Sequence, residues 1–467
     1  MPRRGSSRTR WIASVGAALT TAALLAGASA AGAAPAPAPS PAPHPATSTA
    51  VPVSGPVPGL AGVSGAAETH EVEYFGGPEG HPRHRHVPAH APDRIARHQT
   101  STPGAAVGAT VTAVQETGPV TGRLDLVVMG DGYTAAQQAD FRADAQATID
   151  AVFAVEPYAS YRGLFNIWLV DADSAESGVS GDPTADVVRD TALSSYFFCD
   201  GMERLLCVDE SKVTAHAGRA PASDIVFVIA NSAKYGGAGY SFSRPPAGAS
   251  YRGIATMSSD HAQSYLIGAH ELGHSIGELA DEYQYAGYGA YPYKSSASTN
   301  ISTAADLGTS KWYRWVGEQD PTGSPIGTYE GGDYYETGVY RPTDTSLMRT
   351  LASTDFNHVG REAMIKGFYT HADALTSTVP TGRRVGPTQP LTVRLAPVTG
   401  LAGLHLTWYV DGRQVTWATG DLSVTPAELG ATRSGQRVTA TVTDTTAAVR
   451  DPAVRAASSN SLTWRLL

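Results

Sequence analysis

Residues 270–277 read His270-Glu271-Leu272-Gly273-His274-Ser275-Ile276-Gly277. On a helix, two histidines four residues apart lie one above the other on the same face, so both imidazoles reach one metal ion. Glu271 projects beside that ion, where it would take a proton from a zinc-bound water. The chemistry this spacing specifies is hydrolysis at Zn2+, one ion per chain. The plainer alternative is an amphipathic helix that happens to carry two histidines. Gly277 is expected to let the backbone leave the helix in a conformation that residues with a Cβ resist.

A zinc hydrolase needs three protein ligands and an open position. His270 and His274 supply two. In the metzincin pattern the third is a histidine three residues after the glycine, but Ala280 stands there. After a turn at Gly277 either Asp281 or Glu282 could swing back to the metal; Asp281 is favoured, with Glu282 and then a residue distant in sequence as the alternatives. Met348, in Ser346-Leu347-Met348-Arg349, is a candidate for the methionine floor of such sites. Thr350 occupies the place where some metzincins carry a tyrosine, which leaves Tyr283 and Arg349 as candidates to polarise the transition state.

The elements that must position these residues follow from pattern. Ser259 and Asp260 are good N-caps for a helix from Ala262 through the motif. Residues 252–257 read as a short strand just before it, able to bind an extended peptide by main-chain pairing. Residues 124–129, 165–170 and 224–229 are continuous apolar runs typical of buried strands. Thr134 to Gln137 is a capping box opening a helix to about Phe153. Strands alternating with helices make this part α/β. Residues 231–251, rich in Gly, Ser and Tyr, read as a mobile loop near the cleft. Between the zinc helix and Leu351, aromatic residues including Trp312, Trp315, Tyr329, Tyr334, Tyr335 and Tyr340 are expected either to shape pockets or to pack an irregular subdomain. Residues 363–375 read as a closing helix. From about Gln389 the pattern becomes alternating strands at 391–395, 404–410, 415–418, 438–442 and 462–466, the mark of a small antiparallel β-sandwich of immunoglobulin type.

Composition bounds the rest. Arg3, Arg4, Arg8 and Arg10 precede an apolar run ending at Ala28-Ser29-Ala30, a secretory signal with its cleavage site. Export, an extracellular location and no membrane association after signal cleavage are expected. Cys199 and Cys207 are the two cysteines of the chain and are expected to pair, as an oxidising compartment allows. The formal charge of −9 argues against nucleic acid as a main partner. Residues 31–109 form an Ala/Pro-rich stretch and then a patch containing His81, His84, His86, His90 and His98. That patch is expected to be a solvated, weakly ordered linker, with an inhibitory or metal-binding pro-segment as the alternative. The organisation so read is 1–30 signal, 31–109 linker or pro-segment, 110–380 catalytic domain and 388–467 β-sandwich.

Four segments together resemble the IgA peptidase family of secreted bacterial zinc metallopeptidases. They are Val128 to Tyr133, Cys199 to Arg204, His270 to Tyr283 ending Asp281-Glu282-Tyr283, and Tyr340-Arg341-Pro342 through Arg349. The resemblance spans about residues 115 to 465. It implies a metzincin-like α+β peptidase domain and a zinc endopeptidase acting on a protein or peptide substrate, without implying that immunoglobulin A is that substrate. Two other classes compete: an exported zinc amidase acting on cell wall, and a glycan- or protein-binding module with structural zinc. Oligomeric state is not specified by the sequence.

Overall fold

A computed structural model describes residues 68–77, 80, 82–100, 110–242 and 244–467. The expected signal and the Ala/Pro-rich stretch up to residue 67 lie outside these residues, as does His81. The described residues begin with a hairpin of β1 (Thr69–Phe75) and β2 (Pro82–Pro88), followed by the single turn α1 (Asp93–Ala96). Next come β3 (Val111–Gln115), β4 (Leu124–Asp131), α2 (Gln138–Val152), the turn α3 (Tyr158–Tyr161) and β5 (Phe165–Val170). Then follow α4 (Glu210–Ala217), β6 (Ile225–Ala230), β7 (Gly237–Ser241), β8 (Gly253–Ser258) and α5 (Tyr265–Gly277), which carries the histidine motif.

These strands form one eight-stranded sheet in the order β2-β1-β7-β8-β6-β4-β5-β3. The middle strands β8, β6, β4 and β5 are parallel, while the pairs β3–β5, β8–β7, β7–β1 and β1–β2 at the two sides are antiparallel. Alternate residues of the central strands feed two cores. Leu126, Val128, Ile167 and Phe227 face the helices α2 and α5; Val127, Met129, Val170 and Val228 face the disulfide and α4. A sheet covered on both faces reads as continuous hydrophobic runs, which is why these strands were legible without alternation. Cys199 and Cys207 are joined, with their Cα atoms 5.9 Å apart.

After α5 come the β9–β10 ribbon (Tyr329–Gly332, Tyr335–Arg341) and α6 (His358–His371), which packs along α5. The remainder is two further sheets. β11 (Leu375–Ser377), β13 (Leu391–Leu395) and β16 (Ser423–Val424) form one. β12 (Arg384–Val385), β14 (Leu404–Val410), β15 (Arg413–Gln414), β17 (Arg437–Asp444) and β18 (Ser459–Leu466) form the other, with the short α7 (Pro452–Ala457) between its last strands. The whole is mixed α and β, with several sheets. Residues 416–418, expected as part of a strand, form a 3-10 turn instead.

Three expectations are corrected around α5. The helix starts at Tyr265, later than the capping residues suggested. Gly277 does not provide the turn: the helix runs through it, and Glu278 takes the left-handed conformation at φ 50°. Gly277 is instead a packing glycine, because a Cβ there would lie 2.8 Å from Cγ of Met364 on α6. Residues 237–241, expected within a mobile loop, form β7 beside β8, and the histidine-rich segment 69–88 adds the hairpin outside it. The strand before the zinc helix is thus an inner strand; β7 lies outside it.

Candidate metal centre and active site

The helix α5 presents His270 and His274 on one face, their Nε2 atoms 3.0 Å apart. The other nitrogen of each ring points at a main-chain carbonyl: His270 Nδ1 to Leu347 O at 2.8 Å, and His274 Nδ1 to Leu279 O at 2.7 Å. A carbonyl can only accept, so Nδ1 carries the hydrogen on both rings and, in neutral imidazoles, both Nε2 lone pairs face the same point. The reversal at Glu278 is what brings Leu279 O back under His274.

Asp281 completes the set just past that reversal. Its Oδ1 lies 3.3 Å from His270 Nε2 and 3.5 Å from His274 Nε2. This oxygen is buried with no hydrogen-bond partner, while Oδ2 accepts from the Tyr334 hydroxyl at 2.8 Å. Glu282 is turned the other way. It is fully buried and accepts from Ser346 at 2.7 Å, from Asn300 at 3.0 Å and from Asn357 at 2.9 Å. Of the two carboxylates the sequence left open, Asp281 faces the histidines.

A fourth group, absent from the sequence reading, is Glu73 on β1. Its Oε2 lies 3.3 Å from His270 Nε2 and 3.2 Å from His274 Nε2, and its Oε1 accepts from Tyr283 at 3.0 Å. Five of the six donor–donor separations therefore fall between 3.0 and 3.5 Å, and the sixth pair lies within 4.8 Å. A tetrahedron with vertices about 2.05 Å from its centre has edges of about 3.3 Å, so these donors fit a zinc-sized ion.

The electrostatics point the same way. Burial and the Asp281 charge push Glu73 up, but the two imidazoles hold it at about 2. Burial also opposes ionisation of Asp281, and the imidazoles keep it well below the usual carboxylate range. Burial pushes His270 down, yet Glu73 and Asp281 raise it to about 10. Two buried carboxylates thus demand about two positive charges at the facing Nε2 atoms. Two imidazolium N–H groups pointed at each other across 3.0 Å would repel; one divalent cation satisfies all four groups.

Glu271 stands beside this centre, buried, with Oε1 unpartnered. Burial pushes its carboxyl up to about 8, Glu73 adding in the same direction while the imidazoles pull it down. It passes so close to β7 that a Cβ on Gly239 would lie 1.8 Å from its Cδ. Glu271, Glu73, His274, Asp281, Tyr334 and His84 share one cleft of about 240 Å³.

Met348 is buried beneath the helix, where a Cβ on Gly273 would meet its Sδ at 2.7 Å. Tyr283 reaches the centre; Arg349, the other candidate, is held by Asp344 at 3.1 Å. Among the aromatic residues singled out, Tyr334 lines the cleft, while Trp312 and Trp315 pack in a small separate core with Ile326 and Val359.

Among the described residues, Glu73, His270, His274 and Asp281 form a group that could hold a metal ion, with Glu271 beside it. The class of protein comes from comparison with known families. Residues 112–326 and 319–368 match the family model described as IgA Peptidase M64, and the chain belongs to that family of metallopeptidases. No curated protein matches the chain. Among the described residues, no helix is long and apolar enough to cross a membrane.

Proposed function

We propose that the chain is a secreted zinc endopeptidase with a metzincin-like catalytic domain over about residues 110–380 and an immunoglobulin-type sandwich over 388–467. His270, His274 and Asp281 hold the ion, and Glu271 is the general base. The observation that carries this reading is the convergence of the His270, His274, Asp281 and Glu73 donor atoms within 4.8 Å of one another, with both Nδ1 atoms tied to carbonyls and the unpartnered Glu271 Oε1 alongside.

When bound, the ion supplies Lewis-acid polarisation of the scissile carbonyl and acidifies water. In the cation-free chain burial holds the Glu271 carboxyl at about 8; beside a bound divalent ion it would ionise, take the proton from the attacking water and pass it to the departing amine nitrogen. Tyr283, whose hydroxyl now donates to Glu73 Oε1, is placed to donate instead to the carbonyl oxygen as it gains charge. Leu347 O and Leu279 O fix the tautomers of the two histidines, and Tyr334 orients Asp281. An extended substrate would pair along β7, which runs past Glu271 at Gly239.

The test is cleavage of a diverse peptide library by the secreted protein and by Glu271→Gln, each also in a Glu73→Ala background that removes the carboxylate standing with the three ligands, with zinc content measured throughout. Support is loss of cleavage at unchanged zinc. Equal cleavage with and without Glu271→Gln would remove Glu271 from the reaction, and absence of zinc throughout would remove the metal.

A further inference from the structure

The metal site as proposed needs an open position, yet Glu73 stands there. The carboxylate is not a stray contact. Val72 pairs with Tyr240 and Glu73 with Gly239, so β1 lies along the edge of β7 that faces the cleft. Side chains alternate across a strand: Val72 and Tyr74 are buried in the core on one face, which turns Glu73 to the other face, onto α5. Phe75 then packs edge-on against the His270 ring, with centroids 5.1 Å apart. Glu73 also takes the hydroxyl of Tyr283, the group proposed to serve the substrate carbonyl.

We propose that the hairpin of residues 69–88 is an internal inhibitor: it occupies the substrate edge of β7 as a strand and places Glu73 as the fourth ligand of the metal, holding the chain latent. This inference rests on the metal assignment made above. Strand pairing, ligation and the Tyr283 bond are each what a substrate would need, so hairpin and substrate exclude one another. Activation would be departure of the hairpin, by cleavage after it or by displacement. That leaves β7 exposed and the ion with three protein ligands and an open position.

The experiment uses the full chain with cobalt(II) in place of zinc, because its visible spectrum reports coordination directly. Acetohydroxamate, a small metal-binding probe, is titrated into wild type, Glu73→Ala and Tyr74→Asp. The last variant loosens the hairpin through its buried anchor without touching the site. Latency predicts that the probe shifts the spectra of both variants at concentrations at least about tenfold below those needed for wild type, since apparent affinity scales with the open fraction. Equal response in all three, each holding one cobalt, would overturn the inhibitor while leaving the metal assignment intact. Failure of every form to hold cobalt would overturn both. Circular dichroism on each variant separates opening from unfolding, and either variant suffices if the other does not fold.

Discussion

Gly239 and Glu271 occupy a space with no room for another atom: a methyl on Gly239 would fall within bonding distance of the carboxylate. Gly239→Ala must therefore push Glu271 off its position. The expected result is a fall in kcat of about 10²-fold or more, the usual worth of a positioned general base, with zinc retained. Tyr283→Phe should cost about 10²-fold in kcat with KM little changed, as loss of one transition-state donor does. A matching rise in KM would mean that Tyr283 only binds substrate. The histidines set the pH response of metal binding. In the cation-free chain His270 is raised to about 10 by Glu73 and Asp281 against the opposing effect of burial, so near neutral pH it holds a proton that zinc must displace. Zinc affinity is expected to weaken as pH falls, and binding should release protons. Calorimetry in two buffers of different ionisation enthalpy measures that release, and zero release at pH 7 would contradict the assignment.

At the scale of elements, α5 is held from below by the 346–349 segment and α6. Asn357 caps α6 at Gly360 N and also donates to Glu282, the buried carboxylate next to Asp281. Asn357→Ala removes a cap and leaves a buried acceptor short of a partner, a loss of about 2–4 kcal/mol in unfolding free energy. Denaturant titration measures it; a change within about 0.5 kcal/mol would mean that Ser346 and Asn300 alone satisfy Glu282. Much of this scaffold was legible in the sequence, because β4, β5, β6 and α2 are long and carry clean periodicity. The helix motif pointed to His270, Glu271 and His274, and the lack of a third histidine left the remaining ligand open between a favoured Asp281, Glu282 and a residue distant in the chain. β7 was missed because Gly237, Ala238 and Gly239 carry no strand propensity; its glycines answer to Glu271 and Ile267, not to a turn. Gly277 was given the wrong task because the left-handed residue, Glu278, has no sequence mark. Glu73 was out of reach altogether. It meets His270 across 197 positions of chain, through a strand pairing that local pattern does not encode.

Over the whole molecule, the core that seats α5 continues without a break into the C-terminal sheets, from Leu124 and Phe368 to Trp408 and Trp464. Asp444 on β17 accepts from Tyr161 and Tyr369, binding those sheets to α3 and α6. Truncation after residue 380 would bare this apolar surface and strand both hydroxyls, so the fragment is expected to be insoluble or unfolded. A soluble fragment with one zinc and an intact melting transition would show that the C-terminal sheets are dispensable. The most direct test of the central claim compares peptide hydrolysis by wild type and Glu271→Gln, each also in the Glu73→Ala background, with zinc counted on all four. The account predicts one zinc per chain throughout, hydrolysis wherever the site is open, and its loss on Glu271→Gln. Hydrolysis untouched by that substitution, or none in either background at full zinc, would contradict it.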